Sequence, residues 1–405
     1  MSTLLSNLRG PAGYNATGAA ENDAAIAAFV KSPVGTTATR AAIGESFVSR
    51  RLPDGLTGAA RYDAFNGIYG VDRVPRQAMK ILTDALTTHK KIACVGHSLV
   101  GGSGGTTAWP TRLRNALSAS IPQNSGIVMA TQASSPTDSQ WTIGVGWNRF
   151  SSDNLTLFLA SQTAGSLATF QSLRAGTIVE IWTNGQSVPF EYRIDNGSWV
   201  TYTPTNTFAA QRVQVTGLAN AAHKVDVRSL TTGNTFLLGA EVRNAAGMSI
   251  TNLGAGGSLS GQWNNSTWYT LGPMFAHLGP WDLTFIEIST NDMRNNVAIS
   301  TYKTNVQAII DRATANGGAV VLVVDPQPNT VTVGSYAGVP ATTSAAYRQA
   351  AYELADFNNI RVLDLQGFFG PYTQAEADGM MFDSVHLSEA GYQRVGRAAD
   401  RVLAP

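Results

Sequence analysis

Four stretches of the chain carry side chains that could do covalent chemistry together. Gly96-His97-Ser98-Leu99-Val100-Gly101-Gly102 puts a serine just past an apolar run, with glycines behind it that let the chain turn. Asp383-Ser384-Val385-His386 sets a carboxylate three residues before an imidazole. A carboxylate so placed can fix the imidazole tautomer and stabilise imidazolium, which the general base of a serine nucleophile requires. Asn291, in Glu287-Ile288-Ser289-Thr290-Asn291-Asp292, offers an amide that can donate to a developing oxyanion. Asn252-Leu253-Gly254-Ala255-Gly256-Gly257 offers a bare backbone N–H at Gly254. Taken singly, each has a plainer reading: turn chemistry for Ser98 and Gly254, a helix cap or Asx-turn for Asn291, and chance for Asp-x-x-His.

The elements that precede these stretches are what would bring them together. In open α/β sheets, ligands bind beyond the carboxyl ends of the strands. Apolar runs read as strands at Lys91–Gly96, Met248–Thr251 and Leu283–Ile288, ending just before Ser98, Gly254 and Asn291. A terminal helix, marked by Ala390, Val395, Ala399 and Val402 with Ser388 as its N-cap, follows His386. Further strands at Ala319–Val324 and Ile360–Asp364 alternate with amphipathic stretches. These carry Trp109, Leu113 and Leu117 (with Arg112 and Arg114 turned outward), then Tyr302, Val306 and Ile310, then Tyr347, Ala351 and Leu354. Such alternation predicts a parallel sheet covered on both faces. Residues 136–247 break the pattern with seven short strands: Leu155–Leu159, Thr177–Thr183, Phe190–Ile194, Trp199–Tyr202, Arg212–Val215, Lys224–Val227 and Thr235–Val242. Turn signals such as Asn184-Gly185 and Asn196-Gly197 separate several of them, which reads as a β-sandwich inserted into a loop. Residues 1–75, rich in Ala, Gly and Thr with one short helix around Asp23–Lys31, read as a connector or attachment segment.

In this order and on these elements, the four stretches resemble the SGNH (GDSL-type) hydrolases. The resemblance implies a flavodoxin-like three-layer α/β/α core made of residues 76–135 and 248–405. The all-β, jelly-roll-like sandwich of 136–247 would then be an insertion. It further implies Ser98 as nucleophile, His386 oriented by Asp383 as its base, and no cofactor or metal. The oxyanion hole would be made by the N–H groups of Ser98 and Gly254 and the Asn291 amide. Two positions depart from the family pattern. Its Gly-Asp-Ser reads Gly96-His97-Ser98, and its GxND reads Ser289-Thr290-Asn291-Asp292. Neither departure removes a catalytic group, and His97 should diverge from Ser98 as adjacent side chains do. An α/β-hydrolase elbow, G-x-S-x-G, does not fit because Val100 stands in its fifth position. Gly101–Gly105 lacks the following Lys-Ser/Thr of a phosphate-binding loop, and Leu259 stands where a dinucleotide fingerprint needs its third glycine. His89, His223 and His277 have no metal-ligand spacing.

Composition narrows the partners. The 405 residues hold 28 Lys+Arg against 27 Asp+Glu, a formal charge of +1, and 43% are hydrophobic. That balance leaves no general field for gripping nucleic acid or an anionic membrane. The longest apolar runs, Ala24 to Val30 and Ala319 to Val324, fall far short of the ~20 residues a bilayer span needs. MSTLLSNLRGPAG has no apolar core behind a basic start, so no secretory signal is expected. Cys94 is the single cysteine, which excludes an intrachain disulfide, and its apolar surroundings predict an inert thiol. The resemblance implies an acylated glycan or lipid of a bacterial envelope as substrate, with de-O-acylation of a glycan the first expectation and lipid-ester cleavage the alternative. Trp141, Trp147, Trp182 and Trp199 could stack on sugars or fill the sandwich core. Residues 10–40 resemble the connectors of actinobacterial phage tail proteins, which implies a virion-tail location and a homotrimer. A non-catalytic, receptor-binding tail protein with a degraded hydrolase core is the reading from another class of function.

Overall fold

Ile92-Ala93-Cys94-Val95 is buried on both sides of its strand, and alternate residues enter different cores. Ile92 and Cys94 join one apolar cluster, Ala93 and Val95 the other. The same alternation separates Val321 and Val323 from Val320, Leu322 and Val324. A strand side chain points to opposite faces at successive residues, so a run apolar throughout needs cover on both faces. The computed structural model of the protein supplies that cover, and describes residues 62–63, 67–70, 76–118, 120–132, 140–149, 157–330, 336 and 339–403. Helices Leu271–Leu278, Ile299–Thr314 and Ala341–Asn358 pack on one face; Arg76–Asp84, Trp109–Leu117 and Glu389–Leu403 pack on the other.

Five strands of the central sheet are parallel. Their spatial order is Arg361–Asp364, Ala319–Val324, Leu283–Glu287, His89–Gly96, Gly247–Gly254. Counted along the chain this is the flavodoxin-like order, in which the first and third strands are neighbours and ligands bind beyond their carboxyl ends. Those two strands are His89–Gly96 and Leu283–Glu287, in register from Leu283↔Ile92 to Glu287↔Gly96.

Residues 1–61 lie outside the described residues, and with them the Asp23–Lys31 helix and most of the expected connector. Within that segment, however, Tyr62–Asp63 pairs with Ile68–Tyr69, which runs antiparallel to Arg361–Asp364 at the sheet edge. Ile68 and Tyr69 are buried, so the core reaches into a stretch read as connector. Two-residue strands are too short to leave a periodic signal. Arg114 is a second correction. It is buried rather than outward, and its guanidinium donates to the Ser125 carbonyl at 2.8 Å.

Between the first and second parallel strands the chain builds two antiparallel sheets, of seven and three strands. Pairing begins with Val128–Met129 against Gly239–Ala240, upstream of residue 136. The expected strands Arg212–Val215 and Lys224–Val227 are one continuous strand, Ala210–Ser229, paired along its length with Leu167–Asn184. Register shifts after Thr216 and Ala222 absorb the small and turn-forming residues between them, as bulges do. Thr235–Val242 is instead split into Thr235–Leu237 and Gly239–Arg243, which join different sheets. Trp141, Trp147 and Trp182 are buried and unavailable to a sugar. Guanidiniums of Arg193 and Arg228 lie 4.6 and 4.0 Å from the Trp199 ring centre and occupy that ring as well. Cys94 is fully buried, with burial first and Glu287 second pushing its thiol well up.

Candidate active site

Ser98 is the first residue of a one-turn helix, Ser98–Gly101, that springs from the end of the His89–Gly96 strand. His97 caps that turn, its Nδ1 accepting the Leu99 N–H at 3.3 Å. The loop behind it, residues 103–107, is tied to the C-terminal helix. Tyr392 donates its hydroxyl to the Ser103 carbonyl at 2.7 Å, and Glu389 accepts the N–H of Thr106 at 2.8 Å. Glu389 also pairs with Arg112. Ser388 caps this helix as expected, accepting the Gly391 N–H at 3.2 Å. A Cβ at Gly396 would fall 2.3 Å from the Arg112 Cβ, so glycine lets this helix lie against Trp109–Leu117. The Asp383–His386 loop is thereby delivered to the serine from a distant part of the sequence.

The three side chains meet. Ser98 Oγ lies 2.9 Å from His386 Nε2, and His386 Nδ1 lies 2.8 Å from Asp383 Oδ2. Asp383 Oδ1 accepts the backbone N–H groups of Val385 at 2.8 Å and His386 at 2.6 Å. Partial burial alone would raise the Asp383 carboxyl, but the hydrogen bonds from His386 and Val385 outweigh it and hold the group below its usual range. An ionised Asp383 keeps the proton on Nδ1, which leaves Nε2 to accept the Ser98 hydroxyl. This arrangement can generate a serine nucleophile.

Asn291 reaches the same rim from the end of Leu283–Glu287. Its Nδ2 donates to the Ser258 carbonyl at 3.1 Å, and its Oδ1 accepts the Tyr336 hydroxyl at 3.4 Å. Those bonds fix which way the amide faces and leave one of its two N–H donors. Gly254 is a correction. Its N–H donates to Asn252 Oδ1 at 2.8 Å, and a Cβ there would fall 2.3 Å from the Gly101 nitrogen. Gly254 therefore serves close approach between two backbones and has no donor to spare. The turn just beyond it does: among the described residues the N–H groups of Gly256 and Gly257 make no hydrogen bond, and a Cβ at either would meet nothing within 4 Å. Ser258, next in the chain, is held by its Oγ on the Gly96 carbonyl at 3.3 Å.

Sequence reasoning missed a buried network beneath the serine. His97 Nε2 lies 2.9 Å from Asp325 Oδ2. The same oxygen accepts the Ser289 N–H at 3.0 Å and hydroxyl at 2.7 Å, and both the N–H and hydroxyl of Thr290 at 2.6 Å. The Glu287 carboxyl takes the Trp109 indole N–H at 2.8 Å on Oε2, while its Oε1 and Asp325 Oδ1 are buried and make no hydrogen bond among the described residues. Burial first, then the neighbouring Asp325, pushes Glu287 up to about 8. Burial would raise Asp325 too, but His97, Thr290 and Ser289 hold it at about 2. At neutral pH this leaves Glu287 protonated and Asp325 ionised. The signal was available: Asp325 is an ionisable residue directly after the buried run Ala319–Val324.

Residues 221–394 match the family model described as GDSL-like lipase/acylhydrolase. The match takes in Asn291, Asp383 and His386; Ser98 lies upstream, beyond the antiparallel sheets. Among solved structures, the chain is similar to one titled "Peptidoglycan O-acetylesterase in action, 5 min", with 17% identity and a TM-score of 0.63 over 85% of this chain and 97% of that one. This protein is an SGNH-fold hydrolase. Another similar structure is a family two carbohydrate esterase from Clostridium thermocellum with cellohexaose, at 12% identity and a TM-score of 0.29 over 64% and 97% of the two chains. A salicylyl-acyltransferase of a tetracycline biosynthetic pathway is 14% identical, with a TM-score of 0.30 over 66% and 95%. No curated protein matches the hydrolase in sequence. Among its described residues, no helix is long and apolar enough to cross a membrane.

Proposed function

We propose that the hydrolase cleaves O-acyl esters on a cell-envelope glycan through Ser98, His386 and Asp383. The observation that carries this reading is the continuous relay from Ser98 Oγ through the imidazole to Asp383, at 2.9 and 2.8 Å. His386 takes the hydroxyl proton as Ser98 attacks the ester carbonyl, then returns it to the leaving alcohol. The oxyanion is met by the Ser98 N–H, the second N–H of the Asn291 amide and a glycine N–H from the Gly256–Gly257 turn. Water, activated by the same imidazole, releases the acid from the acyl-enzyme.

Support for a glycan comes from the likeness to the peptidoglycan O-acetylesterase structure, which covers 97% of that chain. Phe382, two-thirds exposed and next to Asp383, adds an apolar face beside the relay. Its N–H donates to the His386 carbonyl at 2.8 Å. Delivery on a virion tail, suggested by the composition of residues 10–40, belongs to the same proposal, and immunogold labelling of phage particles tests it.

The decisive experiment compares wild type with Ser98→Ala on p-nitrophenyl acetate, a fluorophosphonate label, O-acetylated peptidoglycan and phospholipid vesicles. Acetate release from peptidoglycan, lost together with labelling in Ser98→Ala, supports the proposal. Release of fatty acid alone would replace the glycan by a lipid. Unchanged turnover in Ser98→Ala would end the whole reading.

A further inference from the structure

The two departures from the family pattern, His97 and Ser289, lie on different loops yet have the same partner. His97 follows the first parallel strand and Ser289 the third, and both bond Asp325 Oδ2, at the end of the fourth. We propose that Asp325 is a positioning residue that locks the Ser98 turn to the Asn291 turn, and that His97 and Ser289 are its matched ligands. This rests on the roles given above to Ser98 and Asn291.

The imidazole of His97 is fixed at both ends. Nδ1 accepts the Leu99 N–H inside the nucleophile's own turn, so the ring proton sits on Nε2 and points at Asp325. The ring is thus a strut between the Ser98 turn and the carboxylate. On the other side, Ser289 and Thr290 each give Asp325 a backbone N–H and a hydroxyl, and Asn291 is the next residue. Any shift of Asp325 moves the donor of the oxyanion hole relative to the attacking oxygen. Misplacing reacting groups by about 1 Å can cost roughly 10²-fold in rate.

The matching also explains why neither departure stands alone. An aspartate at 97, as in Gly-Asp-Ser, would set a second carboxylate against Asp325 in a site with 1–2% side-chain exposure. Like charges buried in contact cannot both ionise without cost. A glycine at 289 would remove a hydroxyl donor from the same oxygen. Glu287, one strand away at the end of the third parallel strand, is itself held by the Trp109 indole.

The test is a double-mutant cycle between Asp325→Asn and Asn291→Ala, read as kcat and KM for p-nitrophenyl acetate. Asp325→Asn alone should lower kcat roughly 10- to 100-fold with KM within about twofold. In the Asn291→Ala background the same change should cost no more than about threefold, because the donor that Asp325 positions is gone. Equal loss in both backgrounds means a merely structural residue and overturns the proposal, as does an Asp325→Asn enzyme within twofold of wild type. Ser289→Ala, which keeps the backbone donors, runs the same cycle if Asp325→Asn does not fold, with a smaller loss expected in wild type and none beyond error in Asn291→Ala. Ser98→Ala is measured beside them: if it stays active, the roles underlying the proposal have failed, whereas a dead Ser98→Ala with an additive cycle sinks Asp325 alone.

Discussion

Two histidine–aspartate pairs flank Ser98, joined through Nδ1 in His386 and through Nε2 in His97, and exposure sets them furthest apart. The His386–Asp383 side chains are 24% and 42% exposed at 2.8 Å; those of His97–Asp325 are 1% and 2% exposed at 2.9 Å. The chemistry of each pair is the same, and the distances agree within 0.1 Å. Exposure decides what each can do. His386 faces solvent and the serine oxygen, so a proton can enter and leave its ring. Both nitrogens of His97 are engaged with protein, and its ring is buried. A buried imidazole with two fixed partners holds geometry, while a half-open one whose lone pair accepts the serine hydroxyl does acid–base work.

Deleting each ring in turn is the strongest way to break that comparison. His386→Ala should cut kcat on p-nitrophenyl acetate by about 10⁴-fold or more, with the unfolding midpoint moved by no more than about 2 °C. His97→Ala should do the reverse in kind, costing stability first, because it strands a buried carboxylate. Equal kinetic damage with equal stability from the two deletions would erase the distinction. Asn291→Ala comes next, with a loss of about 10²–10³-fold in kcat and little change in KM, as expected for a donor that acts on the developing oxyanion. A change confined to KM would take Asn291 out of that role.

Much of the exposed pair was legible in the sequence, and none of the buried one. Asp383 and His386 are three residues apart before an amphipathic helix, so local spacing carries the signal. Ser98 and Asn291 follow apolar runs that read as strands. His97 and Asp325 are 228 residues apart, and only the sheet order that makes the first, third and fourth strands successive neighbours brings them together. Gly254 went wrong for a local reason: the asparagine two residues before it turns back and takes its N–H, and a count of glycines does not reveal which one is free. The antiparallel region was recognisable by its short strands and turn signals, but bulges hide where one long strand continues through small residues.

Restoring the family residue sharpens the comparison further. His97→Asp should lower kcat about 10²-fold and the unfolding midpoint with it, since two carboxylates would then share one dry site. Adding Asp325→Asn to His97→Asp should recover about tenfold of that loss, because a single carboxylate and an amide can hydrogen-bond again. No recovery in the double variant would mean that His97 acts for some reason other than its N–H toward Asp325.

The smallest expected effect on turnover belongs to Glu287→Gln, and it reads the buried pair through stability. Glu287 is pushed up to about 8 in the fold from an ordinary 4.5, so the folded state binds its proton more tightly than the unfolded chain does. Its contribution is fully present below about 4.5 and is lost progressively as pH rises to about 8. Asp325 runs the other way, with its contribution present above 3.8 and lost as pH falls toward about 2, outside that window. Glutamine keeps a carbonyl for the Trp109 indole N–H but has no proton to lose. The difference in unfolding midpoint between variant and wild type should therefore grow in the variant's favour from pH 5 to pH 8, while kcat stays within about threefold. A difference that stays constant across that range would mean that the fold does not hold a proton on Glu287.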